Sequence, residues 1–318
     1  MNATGRGYVA PVLELAAVPG DRFDGVRRHH GLDADRNPGN PCDPQLQGCF
    51  GAVDYSYNLG TYEVTTAQYA EFLNAKAAAD PLELYSTGMG IMRFGGSGFY
   101  SYSVYPGRED MPVNYVSFYD ALRFANWMNN GQGNSDTESG AYTLLGGTET
   151  PSNGDSVTRN SDAVIVLPRE DEWYKPAYYD PSAASYFDYP TRSNTPTTCS
   201  APTAMPNSAN CGSVVGDLTP VGSYLGSASS YGTFDQGGNV FEWNEAFVAQ
   251  ATGPWRNARA GEFHAGPEYL AANSRGGFDP EWNDGIIGFR LVMIPEPGTG
   301  LLVIAGLLGL AVRRRARA

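Results

Sequence analysis

The sequence predicts a mixed α+β fold with few regular elements and long loops, and three observations point to it. Glycine (39), proline (22) and tyrosine (20) are plentiful, which favours short elements joined by ordered loops. Two segments have the 3.6-residue apolar spacing of a helix, and several short runs have the composition of strands. Hydrophobic residues make up 42% of the 318-residue chain, which is enough to bury a sizeable core.

The first half of the chain contains two predicted helices. Residues 1–50 are expected to form an irregular segment, and residues 52–57 and 60–65 have the alternation of short strands. Thr65 and Gln68 have the spacing of a capping box, so a helix is expected directly after them. Its apolar face would consist of Tyr69, Phe72 and Leu73.

The second predicted helix opens with Ser117 and Asp120, which again have the spacing of a capping box. Its apolar positions recur at helical spacing at Phe118, Ala121, Leu122, Ala125 and Met128. A polar insertion rich in Gly, Ser, Thr and Asn follows at residues 131–162.

The region after this insertion combines one short helix with a long loop. Residues 164–167 have the composition of a strand that leads into an acidic helix from Glu170 to Lys175. Pro176 is expected to end that helix, because proline lacks the backbone N–H that a helix interior needs. Residues 182–230 are polar and turn-rich, and such a length without regular structure predicts a functional or metal-pinned loop region.

Four cysteines fall into two locally spaced pairs, Cys42 with Cys49 and Cys199 with Cys211. Neither spacing matches a zinc motif, and the chain has only three histidines. An even number of cysteines in polar segments favours two small disulfide loops in an oxidising compartment. The sequence allows three pairings, or four free thiols, and proximity favours the local pairing.

The charge distribution disfavours nucleic acid as a partner. The net charge is −13, and four of the 21 basic residues are arginines within the last six positions, which leaves 17 basic against 34 acidic residues. An acidic body repels phosphate backbones. It suits calcium, which prefers oxygen ligands, although an acidic surface can also serve solubility alone.

The C-terminal residues 295–318 carry three consecutive features. They are Pro295-Glu296-Pro297, an apolar run from Leu301 to Val312, and an arginine-rich tail. The run is short for a bilayer span, and the arginines would hold its end on the cytoplasmic side. This segment resembles a PEP-CTERM sorting signal, which implies export, exosortase-type processing, and a cell-surface or matrix location with transient or permanent membrane anchoring. A buried C-terminal helix is the alternative, and the two glycines in the run, Gly306 and Gly309, disfavour it.

The N-terminus does not carry the matching secretory signal. Residues 1–20 show no basic region followed by an apolar stretch, because Glu14 interrupts the run from Val12 to Val18. We keep the expectation of export, so either the true start lies upstream or a first segment is missing from the sequence.

Six segments stand in an order that is typical of one family. They are residues 60–73 (GTYEVTTAQYAEFL), 111–121 (MPVNYVSFYDA), 167–173 (LPREDEW), 219–224 (TPVGSY), 237–243 (GGNVFEW) and 288–291 (GFRL). The series resembles the sulfatase-modifying-factor family, which includes formylglycine-generating enzymes, over residues 51–294. The resemblance implies a C-type-lectin-like α+β domain of the formylglycine-generating-enzyme type.

Formylglycine-generating enzymes hold copper(I) between two thiolates, since copper(I) favours soft sulfur ligands. Counting back from Gly288 puts Ala272 at the second thiolate position and Pro267 at the first. No cysteine follows Cys211, so copper is an unexpected cofactor and a non-catalytic, ligand-binding domain is favoured. The alternative is an oxidoreductase of the family that recruits Cys199 and Cys211 as free thiols.

The resemblance also bears on iron and calcium. The related sulfoxide synthases use an iron held by three histidines, whereas His29, His30 and His264 do not form such a set here. One family calcium would take the side chains or carbonyls of Asp235, Gly238, Val240 and Glu242. A second would take Asn210, the carbonyl of Cys211, and Asp217. The alternative is that Asp235 and Glu242 are ordinary turn and surface acids.

The ligand expected from this sequence is a peptide or an exopolysaccharide. Aromatic side chains line carbohydrate sites, and four tryptophans could do so here: Trp173, Trp243, Trp255 and Trp282. Trp173 and Trp243 lie inside the family motifs, so core packing is expected for both.

Overall fold

A computed structural model describes residues 32–34, 37–250 and 253–295 of the chain. The helices of this part are α1 (Thr66–Lys76), α2 (Phe118–Asn129) and α3 (Glu170–Tyr178). The strands are β1 (Leu32–Ala34), β2 (Asp43–Gln45), β3 (Gly48–Phe50), β4 (Asn58–Gly60), β5 (Ile91–Phe94), β6 (Ser101–Val104), β7 (Ile165–Val166), β8 (Tyr179–Asp180), β9 (Ser185–Tyr186), β10 (Thr198–Cys199), β11 (Ser208–Ala209), β12 (Phe241–Gln250), β13 (Gly253–Arg259), β14 (Gly276–Phe278), β15 (Ile287–Gly288) and β16 (Val292–Met293). The α+β class with short elements and long loops is confirmed.

Two four-stranded sheets organise the described part of the chain. Their strand orders are β1-β4-β16-β7 and β14-β13-β12-β15. In the second sheet β12 and β13 form an antiparallel hairpin, while β15 runs parallel to β12. Strand β16 pairs with both β4 and β7, so the last described strand lies inside the first sheet.

Both predicted capping boxes are present, and both helices are confirmed. The Thr65 hydroxyl accepts from the Gln68 backbone N–H, and the Gln68 side chain accepts from the Thr65 N–H. Ser117 and Asp120 make the equivalent pair at α2. Aromatic side chains join the two helices in the main core, where the rings of Phe72 and Phe124 lie 5.4 Å apart.

The strands predicted at residues 52–57 and 60–65 are wrong, because β4 covers only Asn58–Gly60. After β4, the backbone of Val64 makes isolated hydrogen bonds to segments distant in the sequence. Its N–H donates to the Phe289 carbonyl, and its carbonyl accepts from the Val113 N–H. The apolar alternation therefore reflects burial of Val53, Tyr57 and Val64 in the core rather than a ladder of strands.

The predicted end of the third helix is also wrong, because α3 continues past Pro176 to Tyr178. A proline at this position cannot donate to the carbonyl four residues earlier, that of Glu172. The Tyr57 hydroxyl donates to that carbonyl instead, at 3.0 Å. A residue more than a hundred positions away thus satisfies the acceptor that proline leaves open.

Part of the segment expected to be irregular forms a hairpin. Strands β2 and β3 pair with each other, and β3 lies against α3. A disulfide joins Cys42 to Cys49, with a Cα–Cα distance of 5.4 Å, and a second joins Cys199 to Cys211 at 4.8 Å. The local pairing is therefore confirmed over the alternative of free thiols.

Several predicted features fall outside the described residues. They are the sorting segment after Pro295, the N-terminal residues 1–20, and the histidines His29 and His30. In the part of the chain that the structure describes, no helix has both the length and the apolar character needed to cross a membrane.

Candidate functional site

Arg290 and Glu242 form a buried ion pair that joins two of the six motifs. Arg290 donates from Nε to Glu242 Oε2 and from Nη2 to Oε1, each at 2.6 Å, and neither side chain is exposed. Trp173 Nε1 also donates to Glu242 Oε2, at 2.7 Å. A carboxylate has about four acceptor positions. The two bonds from Arg290 and the one from Trp173 therefore leave Glu242 about one position for a further donor or cation.

Two further buried carboxylates lie beside this pair. Glu63 Oε2 is 3.9 Å from Arg290 Nη2 and has no hydrogen-bond partner. Burial raises the pKa of Glu63 well above its usual range, and the charge of Asp235 raises it further. Burial also raises the pKa of Asp235, to about 6, although its Oδ2 accepts from the Gly222 N–H at 2.6 Å. Three buried carboxyl groups, those of Glu63, Asp235 and Glu242, therefore surround the guanidinium of Arg290.

Asn210 brings an unpaired acceptor to the same region. Its Nδ2 donates to Asn239 Oδ1 at 3.1 Å and to the Asp217 carbonyl at 2.9 Å, while its Oδ1 is buried without a partner. Such an oxygen points to a missing donor or cation, because buried polar groups are nearly always satisfied. The Asp217 carboxylate itself pairs with Arg108 at the surface. Cys211 is held in its disulfide, so only its carbonyl is suited to a hard cation.

The glycine-rich turn brings Gly238 against Asn210. A Cβ on Gly238 would lie 2.2 Å from the Asn210 carbonyl oxygen, so only glycine fits this approach. Val240 packs its side chain with Leu218 and Phe263. In the described ranges, no three His, Cys, Asp or Glu side chains form a metal-binding group.

The two positions expected for copper thiolates carry no donor side chain. Ala272 is 3% exposed and packs in an apolar cluster with Phe50, Trp173 and Tyr174. Pro267 begins a 3₁₀ turn, Pro267–Leu270. All four cysteines of the sequence are disulfide-bonded, so the structure contains no thiolate pair.

An ion-pair group next to Ala272 was not anticipated from the sequence. Glu170, the first residue of α3, accepts from Arg259 Nη2 and from Arg275 Nη2, each at 2.6 Å. Arg259 Nη1 also donates to the Ala272 carbonyl at 2.9 Å. The sequence signal was Glu170 within the LPREDEW motif, but its partners lie about 90 and 105 residues away.

Of the four tryptophans considered for a ligand groove, two are buried and two are partly exposed. Trp173 and Trp243 are fully buried, which confirms core packing for both. Trp282 stacks on Phe278 with ring centroids 4.8 Å apart. Trp255 lines a groove of about 550 Å³ together with Tyr119 and three prolines. His264, the remaining described histidine, lies at the surface with Nδ1 3.0 Å from the Ser213 hydroxyl.

Comparison with known proteins supports the fold and the family. The chain resembles Treponema denticola variable protein 1 with a TM-score of 0.58 at 18% identity, over 83% of this chain and 95% of that one. It resembles CarF, known from a crystal structure, with a TM-score of 0.57 at 21% identity, over 83% and 99% of the two chains. No curated protein matches the sequence significantly. The fold is thus the C-type-lectin-like α+β fold of formylglycine-generating enzymes. Residues 52–294 match the model of the sulfatase-modifying factor enzyme 1-like domain, and the chain belongs to that family.

Proposed function

We propose that this chain is a non-catalytic, ligand-binding member of the family that acts at the cell surface or in the extracellular matrix. The observation that carries the proposal is the chemistry at the two thiolate positions, where Ala272 and Pro267 stand. Neither side chain can bind copper(I), and Ala272 is buried in an apolar cluster. This arrangement supports binding rather than oxidation of a substrate.

The remaining sulfur atoms do not replace the missing ligands. Cys199 and Cys211 are the pair nearest to the loops of the site, and they are joined to each other. A disulfide cannot supply thiolates to a metal until it is reduced. An oxidising compartment, in which exported proteins fold, favours the joined state.

The decisive experiment offers the protein a cysteine-containing, sulfatase-type peptide with oxygen and copper(I). We expect mass spectrometry to find the peptide cysteine unchanged, without conversion to formylglycine. The control is the Cys199→Ser, Cys211→Ser variant. Conversion by the parent that is lost in this variant would overturn the proposal and make the chain an oxidoreductase with a relocated site.

Calcium is proposed as a structural cofactor of the same domain. Its support is the group of buried carboxyl side chains around Arg290 and the two buried oxygens without a partner, Glu63 Oε2 and Asn210 Oδ1. Hard oxygen donors suit calcium, and Asp235 with the carbonyls of Gly238 and Val240 would supply them. Glu242 would add no more than its one remaining acceptor position. Bound calcium would neutralise buried charge and fix the turn that precedes β12.

Export and anchoring through residues 295–318 are proposed as well. The support is the tripartite pattern of the segment and the two disulfides, which are typical of oxidising compartments. The proposed partners are an exosortase-type processing machinery and a peptide or exopolysaccharide ligand. Deleting residues 295–318 is expected to move the protein from the envelope fraction to the soluble fraction of cells that carry such machinery. Undiminished envelope retention of the deleted chain would contradict this.

A further inference from the structure

We propose that the hairpin of residues 42–50 is the chain's own occupant of a peptide-binding cleft, and that a peptide with an aromatic anchor and an acidic side chain can take its place. The inference rests on the proposed ligand-binding function and names the site and the ligand class. The hairpin precedes residue 52, where the match to the family begins. It forms a separate two-stranded sheet and adds no strand to either four-stranded sheet.

Phe50 is the anchor of this contact. Its ring is 8% exposed and lies 5.7 Å from the ring of Tyr174. The guanidinium carbons of Arg259 and Arg275 lie 5.0 Å and 5.4 Å from the Phe50 ring centroid. Cation–π attraction therefore adds to apolar burial. Both arginines are held by Glu170, so this part of the cleft is set by contacts that do not involve the hairpin.

Polar contacts fix the rest of the hairpin to the domain. The Tyr174 hydroxyl donates to Asp43 Oδ2 at 2.6 Å, and Gln47 Nε2 donates to the Asn273 carbonyl at 3.2 Å. These bonds run from side chains to the domain surface, as a bound peptide would make them, rather than through a backbone ladder. Within the hairpin, a competing peptide must reproduce the ring of Phe50 and the carboxylate of Asp43. The flanking residues add a bond from the Gly51 N–H to Asp171 Oδ1 and one from Asn40 Nδ2 to the Tyr186 hydroxyl, each at 2.7 Å.

The position of the hairpin explains why the cleft is closed. Phe50 packs in the same apolar cluster as Ala272, and Gln47 bonds to Asn273, in the stretch where the family resemblance places a thiolate. The chain leaves the cleft at Gly51, which has φ +86° and where a Cβ would lie 2.6 Å from the Tyr186 hydroxyl. A residue with a side chain would be strained here, so Gly51 permits the turn that lays the hairpin against the domain.

The Cys42–Cys49 disulfide makes the hairpin a preorganised ligand. It closes a loop with a sequence separation of seven residues, so the occupant loses little entropy when it binds. Leu46, at the tip of the hairpin, is 98% exposed. It therefore provides a matched control for substitutions in the anchor.

The test uses the full chain and a synthetic disulfide-closed peptide of residues 40–51 as the probe, with binding measured by calorimetry. The Phe50→Ala protein, whose own hairpin has lost its anchor, is expected to bind the peptide saturably. The wild-type and Leu46→Ala proteins are expected not to bind it, because their clefts are filled. A peptide with Phe50→Ala should fail to bind any of the three proteins.

A second substitution checks that the peptide occupies the cleft. Adding Arg275→Lys to Phe50→Ala keeps the positive charge but removes the planar guanidinium, and is expected to weaken peptide binding about fivefold. If Phe50→Ala alone unfolds the domain, the Asp43→Ala, Gln47→Ala double variant loosens the hairpin through its polar contacts and should bind the peptide instead. A folded Phe50→Ala protein that does not bind the peptide, or a wild-type protein that binds it as tightly as Phe50→Ala does, overturns the inference. Formylglycine formation would refute the proposed function but leave this result standing.

Discussion

Arg290 and Glu242 exchange two hydrogen bonds of 2.6 Å although they lie 48 residues apart in the chain. The pair joins the GFRL motif to the GGNVFEW motif in the interior. Its guanidinium also offsets Glu63, which is equally buried. The two motifs thus have a structural reason to occur together, because each supplies the charge that the other must neutralise.

Replacing Arg290 is the first prediction. Arg290→Met leaves Glu242 and Glu63 buried without a cation, and is expected to lower the free energy of unfolding by about 3–5 kcal/mol. Urea unfolding followed by tryptophan fluorescence measures the change. Arg108→Ala, which breaks the partly exposed pair with Asp217, is the control and should cost less than about 1 kcal/mol. Equal losses of stability in the two variants would show that the buried pair stabilises the fold no more than the partly exposed pair does.

Calcium is expected to raise the melting temperature, since an ion that binds only the folded state stabilises it by mass action. Asp235→Asn keeps an acceptor for the Gly222 N–H but removes the charge, so the calcium-dependent shift should disappear. Asn210→Ala should reduce it, and the exposed Asp54→Asn should retain it. Scanning fluorimetry with calcium, magnesium or a chelator decides the matter. A full shift in Asp235→Asn would place the ion elsewhere.

Stability is expected to depend on pH through Asp120. Burial raises the pKa of this carboxyl from 3.8 to about 6, against the hydrogen bonds from Ser117 that lower it. The folded state therefore keeps a proton that the unfolded state has already lost, so this contribution to the free energy of unfolding falls as pH rises from about 4 to about 6. Above that range it is constant.

The matched variant for this pH effect is Asp120→Asn, which cannot ionise. The free energy of unfolding of the wild type should fall relative to that of the variant as the pH rises from 4 to 6. Denaturant titrations at fixed pH values measure it. A difference that stays flat across this range would mean that Asp120 ionises normally in the folded protein.

Removal of the C-terminal segment is expected to leave the domain folded. In the described part of the chain, Leu291, Val292 and Met293 are the last buried core residues, and β16 ends at Met293. A chain that ends at Ile294 should therefore keep its melting temperature and become soluble. Calorimetry compares it with the full chain in detergent. Unfolding of the shortened chain would show that the apolar run is a core helix and would refute the sorting hypothesis.

Much of this protein follows from the sequence alone where the deciding interactions are local. The capping boxes at Thr65 and Ser117 join residues three apart, so they could be predicted before any fold was known. The disulfide pairing could be favoured on proximity for the same reason. The six ordered motifs identified the family, and the absence of cysteine after Cys211 excluded the usual copper ligands.

Only the tertiary structure decided features that depend on residues distant in the chain. Pro176 remains inside α3 because the Tyr57 hydroxyl replaces its missing donor. Glu242 pairs with Arg290, and the hairpin that ends at Phe50 covers Ala272, through contacts that no local pattern encodes. The physical reason is that a sequence pattern reports interactions between residues a few positions apart. The partners of a buried charge or of the hairpin are instead residues far away in the sequence, which come within contact distance only when the chain packs.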